Sequence, residues 1–384
     1  MSVTIRLPRA DGTSEHRALG EPAGFPRPKE PLTSRIGYAA AHVAPDPYAD
    51  NSPGAPAALD WEATLAFRQH LWSYGLGVAE AMDTAQRGMG LDWPTARELI
   101  RRTGEEVSGP FAAGAGTDQL PPEVGSLDEI IAGYEEQLDV VTDAGATPIL
   151  MASRQLARLA RGPGDYHKVY GRLLAQVRTP VILHWLGPMF DPALAGYWGD
   201  TDLDAATGSF LELIAACPSK VDGVKVSLLD ATHEVALRRA LPAGVRVYTG
   251  DDLHYPELIR GDEVSASDAL LGVFAAIAPA ASAALQALDR DDLAGYDAAL
   301  TPTLPLARHL FGAPTYYYKT GIAFLAWLAG HQPGFAMVGG LQSARGVPHL
   351  VEAFRLADTA GLLPDPELAA ARMRAYLTTA GVAT

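Results

Sequence analysis

Across 384 residues the chain carries 45 Asp and Glu against 30 Lys and Arg, a formal net charge of −15. That sign argues against nucleic acid and anionic membrane as partners, since both call for a positive footprint. With 48% hydrophobic and 20% charged residues a sizeable core can be buried, and the single cysteine, Cys217, excludes an intramolecular disulfide and a Cys-based zinc cluster and fits a reducing cytoplasm.

The N-terminus has no basic start followed by an apolar run, so no secretory signal is expected. Residues 1–34, rich in Pro, Gly and charge, read as an arm or a short added strand. From residue 35 short apolar runs alternate with longer amphipathic stretches. The runs are Arg35–His42, Gly77–Asp83, Pro110–Gly114, Thr147–Met151, Pro180–His184, Gly223–Ser227 and Val245–Thr249, with a weak eighth near Glu263–Ala266. Helical patterns lie between them at Trp61–Tyr74, Trp93–Thr103, Leu127–Ala144 and Asp202–Ala216. Strand–helix alternation implies βαβ units and a parallel sheet. Eight units over residues 35–288 fit a (β/α)₈ TIM barrel of the α/β class. A doubly wound open sheet is the rival, but no G-x-G-x-x-G follows the first strand. The uncharged stretch Ala269–Leu288 is long enough to span a bilayer; its alanine content and Pro279 favour a buried helix. Residues 289–384 read as a helical C-terminal region, with helices at Asp291–Leu300, Leu304–Phe311, Tyr316–Ala329, Val347–Ala360 and Pro366–Leu377.

Lys225 is the residue with the clearest chemistry. Strand alternation puts Val224, Val226 and Leu228 on one face, suited to the helix layer, and Gly223, Lys225 and Ser227 on the other. If that second face is the barrel interior, desolvation disfavours the ammonium form and leaves a neutral amine able to attack a carbonyl. A lysine whose head snorkels out at a strand end is the plainer alternative.

Several segments, in order, resemble the dihydrodipicolinate synthase and N-acetylneuraminate lyase family. Asp222-Gly-Val-Lys-Val-Ser227 resembles its Schiff-base lysine strand, with the lysine at Lys225. Val247-Tyr-Thr-Gly-Asp-Asp252 resembles its Ser-Gly-Asp-Asp segment, and Thr179–His184 its Pro-Val-Ile-Leu-Tyr-Asn strand. Met82-Asp-Thr-Ala-Gln, with the helix after Gly90, resembles its Gly-Thr-Thr-Gly-Glu loop. The resemblance covers residues 35 to about 290. It implies a class I, Schiff-base lyase that needs no organic cofactor or metal, takes a small-molecule carbonyl substrate, works in the cytoplasm and assembles as a dimer or tetramer.

Two departures bear on chemistry. Where the family has its proton-shuttling tyrosine this chain has His184, which can still act as acid or base. Where the family's Thr-Thr pair binds the substrate carboxylate, this chain has Asp83 and Thr84. An ionised Asp83 repels a carboxylate, so either Arg87 offsets it or the substrate is a polyhydroxylated keto-sugar rather than a 2-oxo acid. Asp83 as a helix cap is equally open. His42, with the long loop behind it, and Gly250 and Asp251 complete the expected substrate-binding set with Ser227. Dispersed His42, His184, Asp251 and His254 leave a metal site open, and with it a divalent-metal barrel enzyme acting on a sugar or polyol. A non-catalytic ligand-binding relic also stays open. The aromatic run Tyr316-Tyr-Tyr-Lys319 reads as packing.

Overall fold

The computed structural model describes residues 3–9, 11–82 and 87–382. Asp83 and Thr84 lie outside the described residues. The chain opens with an antiparallel hairpin, β1 (Thr4–Pro8) and β2 (Ser14–Ala18). Among the described residues, eight parallel strands then close into a barrel: β3 (Gly37–Ala40), β4 (Gly77–Glu80), β5 (Phe111–Ala115), β6 (Thr147–Leu150), β7 (Val181–Leu186), β8 (Val221–Ser227), β9 (Arg246–Thr249) and β10 (Asp268–Leu271). Neighbours in the barrel follow chain order, and β10 pairs with β3 to complete the ring. That is the architecture the strand–helix alternation implies.

The helices around the barrel are α1 (Trp61–Ser73), α2 (Trp93–Glu105), α3 (Leu127–Asp143), α4 (Arg154–Leu159), α5 (Pro163–Gln176), α6 (Leu203–Ala216), α7 (Ala231–Ala240), α8 (Tyr255–Arg260) and α9 (Phe274–Leu288). Their starts are written in the sequence. Asp60, Asp92, Ser126, Asp202 and Asp230 each accept a backbone N–H of the first turn, which satisfies donors a helix start otherwise leaves open. Beyond the barrel come α10 (Leu293–Leu300), α11 (Leu304–Leu310), α12 (Tyr318–Leu328), α13 (Val347–Thr359) and α14 (Pro366–Thr379). The hairpin docks on this C-terminal layer: Arg17 Nε donates to Asp358 Oδ2 at 2.6 Å and Arg355 Nε to Glu15 Oε1 at 2.8 Å.

Two apolar clusters divide the molecule. The large one lies between strands and helices and includes Val224 and Val226. The small one fills the barrel interior with Tyr38, Ala40, Ala79, Ala112, Ile149 and Ile182, among others. Small residues there make room for large ones: a Cβ at Gly223 would stand 2.7 Å from the Tyr248 ring, and one at Gly77 would stand 2.5 Å from the Tyr38 ring. The alternation expected on β8 is therefore observed, with the valines outward and Gly223 inward.

The eighth strand differs from expectation. Glu263–Ala266 is a loop whose Val264 is exposed, with Asp262 accepting the N–H groups of Val264 and Ser265. The strand is Asp268–Leu271, whose last three residues open the stretch Ala269–Leu288 that the sequence reading gives wholly to a helix. Asp268 explains why the chain pairs there: its carboxylate accepts Ile36 N–H at 2.7 Å and Arg246 Nη1 at 2.9 Å, pinning the seam where the barrel closes. No helix among the described residues is long and apolar enough to cross a membrane.

Candidate active site

The carboxyl ends of β7, β8 and β9 bring His184, Lys225, Ser227 and Gly250 together. His184 and Lys225 are direct partners in the register of β7 with β8. His184 is fully buried on the same face as Ile182, and its Nε2 lies 3.1 Å from Ser227 Oγ. Lys225 is 8% exposed. Gly250 packs flat against this pair. A Cβ there would lie 2.1 Å from Ser227 Oγ and 3.1 Å from Lys225 Cε, so the absence of a side chain at Gly250 is what lets Lys225 and Ser227 share the space.

The two aspartates after Gly250 divide their work. Asp251 accepts the N–H groups of Leu253 and His254 and pairs with His254 Nδ1 at 2.9 Å. It shapes the loop and orients His254. Asp252, the last residue of the Gly-Asp-Asp segment, accepts Val273 N–H at 2.7 Å and is 3% exposed. Burial holds its carboxyl well above the ordinary carboxylate range, against the pull of the Val273 N–H and of Lys225 and Lys319.

Lys319, read in the sequence as part of an aromatic packing run, faces the site instead. It lies in the first turn of α12, is 2% exposed, and donates from Nζ to the Ala40 carbonyl at 2.5 Å, at the end of β3. The available signal was a charge in the wrong company: it is the single charged residue in Tyr-Lys-Thr-Gly-Ile-Ala-Phe-Leu-Ala-Trp-Leu.

His42 and Arg87 are differently engaged. β3 ends at Ala40, so strand alternation no longer governs His42. Its ring packs edge-on against Phe67, and its Nε2 meets Gln332 Oε1 at 2.8 Å. Burial, then Lys319 and Arg68, push its imidazole down to about 3, so it is neutral at pH 7. All five N–H groups of Arg87 are taken by protein acceptors, namely Asp118, Gln137 and the carbonyls of Ala81 and Gly114. A substrate carboxylate would have to displace one of these. Among the described residues no three His, Cys, Asp or Glu side chains gather into a metal-ligating group, so His42, His184, Asp251 and His254 do not form the site left open above.

A cavity of about 720 Å³ opens on the same end of the barrel, beyond β5, β6 and β7, with Thr117, Gln155, Arg154 and Met151 among its walls. Met151 also belongs to the barrel interior, and Leu186, another wall, pairs in register with Ser227. Through Leu186 the cavity wall thus adjoins Ser227 on the next strand.

A family model described as "Protein of unknown function (DUF993)" matches residues 5–382. No curated protein matches the chain. Its fold is similar to that of several solved structures. One is the prophage protein YagE of E. coli K12, of the dihydrodipicolinic acid synthase family, in complex with pyruvate: 15% identity, TM-score 0.67, covering 85% of this chain and 99% of that one. Another is dihydrodipicolinate synthase from Thermotoga maritima, at 15% identity and TM-score 0.63 over 86% of this chain and 100% of that one. A third is the Acinetobacter baumannii enzyme complexed with pyruvate, at 16% identity and TM-score 0.62 over 86% and 100%. At such identities the likeness is one of fold.

Proposed function

The chain belongs to the DUF993 family, and on its barrel we propose a lyase that holds a carbonyl substrate as a Schiff base on Lys225. The observation that carries this reading is that Lys225, 8% exposed, and the buried His184 are register partners on adjoining barrel strands, with Ser227 and Gly250 packed beside them. Lys225 attacks the carbonyl carbon as a neutral amine. The carbinolamine then loses water, and the iminium so formed acts as an electron sink. His184, hydrogen-bonded to Ser227, is suited to carry the proton to and from the departing oxygen. Carbon–carbon cleavage, condensation or β-elimination follows from the same iminium.

The substrate class is a 2-oxo acid or a polyhydroxylated keto-sugar. Pyruvate bound in the E. coli and A. baumannii structures supports the first, and the commitment of every Arg87 donor to protein acceptors favours the second. The test is borohydride reduction of the protein with a panel of both classes, read by intact mass. A stable mass gain equal to the reduced adduct supports the reading, and no gain with any member would refute it.

A further inference from the structure

Lys225 has a second buried amine near it. The helix that carries Lys319 is apolar and buried along its whole length. Among the described residues the Lys319 ammonium has one hydrogen bond, to the Ala40 carbonyl, and lies 4.9 Å over the Tyr318 ring, with no carboxylate paired to it. An ammonium without a counter-ion is costly to bury, and a methionine would fill the same space without that cost. The position of the amine is also specific. Around the barrel the order is β7, β8, β9, β10, β3. His184 stands on β7, one strand before Lys225 on β8. Lys319 reaches the end of β3, on the other side. Asp252 lies between them, anchored to Val273 just past β10.

We infer that Lys319 is the second proton-transfer group of this site, taking a proton from the carbon beside the Lys225 imine on the side away from His184. The inference rests on the Schiff-base reading of Lys225. In the step, the C–H bond next to the iminium carbon breaks and its electron pair becomes the C=C bond of an enamine. The C=N π pair moves onto the Lys225 nitrogen, which loses its charge. The proton goes to Lys319 Nζ, whose ammonium keeps its bond to the Ala40 carbonyl. The reverse transfer returns the proton after cleavage or elimination.

Such a base must be neutral at working pH. The charged and titratable groups that face Lys319 are Asp252 after β9, Lys225 on β8, Arg68 on α1, Glu80 at the end of β4 and His42 after β3. Burial outweighs the opposing pull of Asp252 and brings the Lys319 amine down to about 7, with Lys225 and Arg68 pushing the same way.

The test uses the full chain in deuterium oxide with pyruvate and, separately, dihydroxyacetone. Two quantities are read: the borohydride-trapped adduct on Lys225, and deuterium entering the carbon beside the carbonyl. Lys319→Met and Lys319→Arg should both keep the adduct. Their exchange should fall by roughly 10²–10⁴-fold, to the background seen with Lys225→Arg. Wild-type exchange should rise with pH through about 7. The pH profile needs no variant and so stands even if a substitution fails to fold. Exchange at wild-type rate in either variant, an adduct lost along with exchange, or a flat wild-type profile would overturn the inference while wild type still forms its imine on Lys225; an adduct on Lys319 would overturn the inference and the Lys225 reading together. If wild type traps neither probe, the Schiff-base reading fails first and the role of Lys319 goes with it.

Discussion

Gly250→Ala is the smallest change that should damage the site. The added methyl would meet Ser227 Oγ at 2.1 Å, the Val226 carbonyl at 2.8 Å and Lys225 Cε at 3.1 Å. Ordinary contacts are about 3.5 Å, so Ser227 Oγ must retreat by more than about 1 Å. It can do so only by rotating out of its 3.1 Å bond to His184 Nε2. The Val226 carbonyl cannot rotate away, because it already accepts Gly250 N–H at 2.8 Å in the seam between β8 and β9. Strand displacement of that kind costs about 1–3 kcal/mol, and a misplacement near 1 Å at a reacting group can cost about 10²-fold in rate. Urea unfolding and the rate of borohydride trapping measure the two effects. A variant with the wild-type midpoint and the wild-type trapping rate would refute the packing argument and the position given to Lys225.

Other perturbations separate structure from chemistry. Glu80 is fully buried and accepts two bonds from Arg68, at 2.7 and 2.8 Å, and one from Thr103. Arg68→Met should destabilise the fold by about 3–5 kcal/mol by stranding that carboxylate, and Arg68→Met with Glu80→Leu should recover most of it in urea titrations. Glu234 is pushed up to about 7 by burial, against its bonds from Ser267 and Thr249. Because its folded value lies above its unfolded value, its contribution is full below pH about 4.5 and is lost as pH rises through about 7. Glu234→Gln should therefore remove up to about 3 kcal/mol of that decline, and an unchanged stability–pH curve would contradict it. His184→Phe should keep the borohydride adduct while turnover falls roughly 10²–10⁴-fold; unchanged turnover would make His184 structural.

The barrel was legible because its strands are short apolar runs set between capped helices, so period and punctuation agree. β8 was legible in finer detail: Val224 and Val226 pack outward and Gly223 inward, as alternation requires. β10 was hidden because its apolar residues run into α9 with only Gly272 and Val273 between them, leaving no polar break to mark the change of period. The weak run at Val264 lost because a strand there has nothing to pin it, whereas Asp268 ties β10 to Ile36 and Arg246. Within the site, Lys225, His184, Ser227 and Gly250 come from adjoining strands, and their pairing follows once the barrel is known. Lys319 comes from the C-terminal layer, and no local pattern says which strand end a distant helix will reach. His42 shows the converse limit: two residues past the end of β3, its direction is set by Phe67 and Gln332 rather than by alternation.

The central claim is that one lysine, Lys225, forms the imine. It is tested by reducing wild type and Lys225→Arg with borohydride in the presence of the trapped carbonyl compound, then mapping the modified peptide. The adduct should sit on Lys225 in the peptide spanning Val221–Ser227, and Lys225→Arg should show neither adduct nor turnover. An adduct on another lysine, or a Lys225→Arg variant that keeps most of its activity, would contradict it.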